Sequence, residues 1–157
     1  MKKLIGVALV VIVFAGYKFW SYQQIPEIPL GKTTLKTADG RILDPSGITG
    51  KYLLISCFQS WCGDCIREAP SVQALRNSMG ARKLDVLMVS DEDWEKINRF
   101  GKLSKTDLSL LRSQTSFSEL GVRVYPTTWL LSPDHKVLMV KREGFDWNSP
   151  EVHALIR

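Results

Sequence analysis

Residues 60–70 read SWCGDCIREAP, and Cys62 and Cys65 are the side chains in this chain best suited to chemistry. Their spacing lets the two sulfurs close a small ring, as a redox-active disulfide, or supply half of a zinc site. A disulfide scaffold would carry several distributed pairs, whereas the one further cysteine, Cys57, stands apart. Structural zinc needs four ligands, so Cys57, His135 and His153 would have to complete the set, and none repeats the paired spacing. The expectation is therefore no metal and no cofactor. The redox reading needs only what is present. At a helix N-terminus the dipole lowers a thiol pKa from its unperturbed ~8.5, which makes Cys62 the attacking thiolate and Cys65, a turn inside the helix, the resolver. Cys57 reads as a small buried hydrophobe, with a third redox thiol as its alternative.

The cysteines can act in this way only if the flanking elements place them. KYLLISCF, residues 51–58, is an apolar strand bounded by Gly50 and by the motif. Beyond the motif, Ile66, Ala69, Val72, Leu75 and Met79 recur at helical spacing and Gly80 is placed to end the helix. Cys62 thus falls at or just before a helix N-terminus. Upstream, residues 33–47 read as a hairpin turning at Asp39 and Gly40. Downstream, LDVLMVS (84–90) is a second buried strand, and residues 91–100 form a helix with an acidic first turn and Trp94, Ile97 and Phe100 on one side. LSLL (108–111) predicts a short strand, FSELGV (117–122) a short helix, and TTWLLS and KVLMVKR a hairpin around Pro133. Ser149 at N-cap and Pro150 at the first helical position open a terminal helix. The alternation predicts an α/β domain with a parallel strand-helix-strand core and an antiparallel hairpin after it.

Residues 1–22, MKKLIGVALVVIVFAGYKFWSY, place two lysines before an apolar run and end on an aromatic edge. The run to Trp20 is about the minimum that spans a bilayer, roughly 17 residues, with Lys18 able to snorkel. It is read as a retained signal anchor that leaves the N-terminus in the cytoplasm and the domain outside. The alternative is a cleaved signal peptide, with Val13 and Ala15 before Gly16 as the small-residue site, giving a soluble periplasmic or secreted protein. Residues 23–29, with Pro26 and Pro29, form a linker, and the folded domain occupies 30–157. The formal charge of +5 owes three units to Lys2, Lys3 and Lys18; the rest of the chain carries 18 Lys/Arg against 16 Asp/Glu. No basic stripe with interleaved aromatics appears, which argues against nucleic acid as a partner.

LLISCFQSWCGDCIREAPSVQAL, taken with GVRVYPTTWLLSPDHKVLMVKREG, resembles the thioredoxin fold, and specifically the membrane-anchored, extracytoplasmic thiol-disulfide oxidoreductases of the TlpA/ResA type. The resemblance spans nearly all of residues 30–157. It implies a central mixed sheet flanked by helices, with an N-terminal hairpin extension and an N-terminal membrane helix. It implies Cys62 as nucleophile in a Cys62–Cys65 disulfide, Trp61 as a shield beside it and Pro70 as a kink in the active-site helix. Pro126 matches the cis-proline loop facing the disulfide, which makes Tyr125, Pro126 and Thr127 substrate-contact candidates. Glu68 falls where relatives carry an acidic residue that tunes thiol titration; read alone it is equally a solvated helix-surface glutamate.

Asp64 departs from the family, where proline is common. Near a helix N-terminus it is tolerated. A carboxylate ~6 Å from the Cys62 sulfur opposes thiolate formation by ~0.7 kcal/mol in water and ~3 kcal/mol at an effective dielectric of 20, with Arg67 at i, i+3 to offset it. A less stabilised thiolate moves the couple away from strong oxidants and toward reductants. The expected activity is therefore reduction of disulfides in client proteins, apocytochromes c being targets among relatives. The expected partners are those clients, a membrane electron-donor protein and the cytoplasmic membrane, with the chain a monomer. A thiol oxidase or isomerase, and a non-catalytic binding module or metal chaperone on the same fold, are the rival readings.

Overall fold

The computed structural model describes residues 33–157, with Val13, Phe14 and Gly16 ahead of them. Apart from those three positions, the expected anchor and linker lie outside the described residues. Among the described residues no helix is long and apolar enough to cross a membrane.

The expected hairpin is present as β1 (Leu35–Lys36) and β2 (Ile42–Leu43), turning through Gly40 at φ +88°. A 3-10 turn at Pro45–Gly47 follows, capped by the Asp44 carboxylate, which accepts from the Ser46 N–H. β3 (Tyr52–Cys57) and β4 (Leu84–Ser90) pair in parallel, and the long helix α1 (Gly63–Met79) connects them. Helix α2 (Trp94–Ser104) begins where the Asp93 carboxylate accepts from the Lys96 N–H, then leads to β5 (Leu110–Ser113), parallel to β4. β6 (Thr127–Leu131) returns antiparallel to β3, β7 (Val137–Lys141) pairs antiparallel to β6, and α3 (Pro150–Leu155) closes the described fold. The seven strands of the described residues lie in the order β2-β1-β5-β4-β3-β6-β7.

Alternation along β3 divides the interior into two cores. Leu54, with Phe58 just beyond the strand, packs against Ala69, Val72 and Leu75 of α1, Ile97 and Phe100 of α2 and Val152 of α3. Leu53, Ile55 and Cys57 face the other way, toward Leu35, Phe117, Val122 and Trp129. Among the described residues that second core contains no helical residue, and it is covered by the hairpin side and residues 117–122.

Three local expectations are corrected. Residues 117–122 form a hydrogen-bonded turn instead of a helix, because Gly121 takes φ +76° and the Val122 N–H folds back to the Phe117 carbonyl at 2.8 Å. β5 runs from 110 to 113, not 108 to 111, since pairing of Leu110 with Met88 and of Ser113 with Leu35 sets its register. Ser149 is at the N-cap of α3, but its hydroxyl makes no capping bond: the Val152 N–H it would accept closes on the Ser149 carbonyl at 3.1 Å.

Candidate active site

The site forms where β3 ends and α1 begins. Phe58, fully buried, stacks on Phe100 of α2 at 3.9 Å, which fixes the point at which the chain leaves the sheet. Gln59 and Ser60 carry it to Cys62, the N-cap of α1, whose sulfur accepts from the Cys65 N–H at 3.1 Å. The pair is a closed disulfide with Cα atoms 5.3 Å apart. Both cysteines are nearly buried, while Trp61 beside them is 71 % exposed. The indole meets Tyr125 edge-on, with ring centroids 6.0 Å apart. The Tyr125–Pro126 bond is cis. Thr127 is buried, and its hydroxyl donates to the Val124 carbonyl at 2.7 Å, so its side chain serves the loop itself.

Glu68 is not a surface residue. One turn beyond Cys65 on the same helix face, it is 3 % exposed. Its Oε1 accepts from the Thr128 hydroxyl of β6 at 2.7 Å and its Oε2 from the Phe145 N–H at 3.2 Å. Ser56 Oγ lies 2.9 Å behind Thr128 Oγ1. Burial pushes the Glu68 pKa up from the ordinary 4.5 to about 7, the hydrogen bonds holding back part of the rise. Trp147 also favours the charged form, although its indole N–H stays outside hydrogen-bonding geometry. Ser71 straps residues 145–147 to α1, donating to the Glu68 and Phe145 carbonyls and accepting from the Trp147 N–H. Between that strap and the helix an open groove, with Asp64, Arg67, Ser71 and Asp146 in its walls, reaches Glu68.

Asp64 is half-exposed and ion-paired with Arg67, as their spacing suggests. Its influence on the disulfide is therefore at the water-screened end of the expected range. Cys57 is buried and free, and burial above all, then the Asp91 charge, raises its thiol pKa far beyond reactivity at neutral pH. Among the described residues no group of three or more His, Cys, Asp or Glu side chains is disposed to hold a metal.

Two acidic residues after β4 were legible only as helix-leading charges, yet both reach the active-site loop. Glu92 accepts from the Ser60 N–H at 2.6 Å and from the Ser60 hydroxyl at 3.1 Å. Asp91 accepts from the Gln59 amide at 2.6 Å and from the Phe117 N–H at 2.7 Å. The signal was topological: a loop at the carboxyl end of a parallel strand lies beside the loop that follows its neighbour.

A cysteine pair closed at the head of a helix, with a cis-proline loop leading into the strand that pairs with the one before that helix, is the framework of a thioredoxin-like fold carrying a redox-capable disulfide. The chain belongs to the AhpC/TSA family, whose model matches residues 25–140. It is 27% identical to the thioredoxin-like protein YneN of Bacillus subtilis, over 83% of each chain. Among solved structures it is similar to the thioredoxin domain of a thiol-disulfide oxidoreductase from Bacteroides vulgatus, with TM-score 0.70 and 16% identity over 85% of this chain and 100% of that one. A thiol:disulfide interchange protein from a Bacteroides species superposes with TM-score 0.68, at 18% identity over 79% of this chain and 85% of the other.

Proposed function

We propose that this protein reduces disulfides in client proteins on the outer side of the cytoplasmic membrane, tethered there by its N-terminal segment. The observation that carries the reading is a buried acid, Glu68, on the same helix face as Cys65 and one turn from a disulfide at a helix N-terminus. In the reduced protein the Cys62 thiolate attacks a client disulfide sulfur, forms a mixed disulfide and expels one client thiolate. Cys65 passes its proton to Glu68 and attacks the Cys62 sulfur. The second client thiolate leaves and the Cys62–Cys65 disulfide closes. Two electrons have moved to the client, whose thiolates take up protons. A dithiol of a membrane electron-donor protein restores the starting state by the same exchange in reverse.

Trp61, which precedes Cys62 in the chain, meets Tyr125 edge-on, and the two supply the face on which a client chain is held. The negative charge of Asp64, weakened by its pairing with Arg67, opposes an isolated thiolate and so favours the reducing direction. Replacing Cys65→Ser is expected to trap clients on Cys62 as mixed disulfides that dissolve with dithiothreitol, and the trapped proteins identify the client class. Cys62→Ser is expected to abolish reduction of insulin disulfides. Normal insulin reduction by that variant would end the catalytic assignment, and a couple near −120 mV, at the strong-oxidant end, would replace the reductase by an oxidase.

A further inference from the structure

We propose that Asp91 is the positioning residue of the client-holding face, setting Tyr125 against Trp61 by gripping the two segments beneath them. This rests on the oxidoreductase reading above and adds a determinant of how protein substrates are held, separate from the sulfur chemistry. Each oxygen of the half-buried carboxylate takes one short bond from a remote part of the chain. Oδ1 accepts from Gln59, 32 residues away, and Oδ2 from the Phe117 N–H, 26 residues away. Both are charge-assisted bonds, the stronger kind.

Those two ligands are what Tyr125 rests on. Phe117, almost fully buried, lies under the Tyr125 ring at 5.8 Å, and the Gln59 amide lies beside the phenol oxygen. The phenol's own bond, to the Val122 carbonyl, is 3.5 Å long and weak. The ring is thus located mainly from below. Trp61, exposed, has Tyr125 as an aromatic neighbour and follows Gln59 by two residues. One carboxylate therefore ties the loop leading to the cysteines, the 117–122 turn and the cis-proline loop into a single surface. A small disulfide needs only the sulfurs, whereas a polypeptide must also lie along that surface.

The test uses the full chain in detergent, with dithiothreitol as electron source, and two oxidised substrates, insulin and hydroxyethyl disulfide. Asp91→Asn keeps the shape and, with the Gln59 amide turned, can keep both bonds as neutral ones, so what it removes is the charge assistance of the two. The KM for insulin is expected to rise about tenfold, the scale of the charge assistance lost from the two bonds, with the rate toward hydroxyethyl disulfide falling several-fold less. An unchanged insulin KM, or equal losses on the two substrates, overturns the proposal. Should Asp91→Asn fail to fold, Gln59→Met, which removes one of the two grips, decides on the same criterion. A wild-type chain that reduces neither substrate refutes the oxidoreductase reading and this inference with it. A wild type active on both, matched by Asp91→Asn, refutes this inference alone.

Discussion

Ionising Glu68 means forming a charge on a buried side chain, and that makes the native state depend on pH in a definite direction. In the unfolded chain this carboxyl loses its proton near 4.5; in the folded protein it keeps it to about 7. Between those values the native state binds more protons, so stability falls as pH rises through the window and levels off above it. The drop is roughly 3 kcal/mol at most, and Glu68→Gln is expected to flatten it in denaturant titrations across that range. The same substitution is expected to slow closure of the Cys62–Cys65 bond on the order of 100-fold and to remove the inflection near pH 7 from its rate profile, as stopped-flow would show. At Asp64 the effect is smaller. Because the side chain is half-exposed and paired with Arg67, Asp64→Pro is expected to raise the potential by only about 15 mV, checked by equilibration with glutathione. At this scale the cysteines were readable because two sulfurs at that spacing have few uses. The burial of Glu68 was not, since the strand and strap that cover it are 60 and 77 residues distant in sequence.

Helix α1 carries the site, and its end is as sharply defined as its start. Gly80 takes φ +74° and ψ 154°, a region other residues avoid, and its N–H closes the last turn on the Arg76 carbonyl. Gly80→Ala is expected to cost about 1–3 kcal/mol in thermal unfolding while leaving the potential of the couple in place. Periodicity located this helix and the strands around it because each buries a long, regular apolar face. Residues 117–122 lack such a face. Their apolar residues recur at spacings that suit a helix, but Phe117 and Val122 both turn into the second core through a reversal at Gly121, a tertiary outcome that local pattern does not encode. The register of β5 likewise depends on its neighbours β4 and β1, not on its own residues.

For the molecule as a whole, the proposed tether makes its own prediction. The full chain is expected to remain in the membrane pellet after an alkaline wash at its uncleaved mass, with Cys62 in the reduced protein labelled by a membrane-impermeant maleimide on intact cells. Release at lower mass would favour the cleaved alternative. The N-terminal run and its lysines suggest this arrangement from sequence alone, in a segment that lies almost wholly outside the described residues, whereas the division of the interior into two cores is visible only in three dimensions. A pull delivered through the N-terminal segment meets β1 first among the described strands. Among the described residues that strand is held to β5 by two register pairs, Leu35 with Ser113 and Lys36 with Arg112, and to β2 by two more. The pairing of β3 with β4 runs for six. Under load the hairpin is therefore the part that peels first, a mechanical fuse that gives way at the sheet's edge before tension reaches the strand leading to the disulfide.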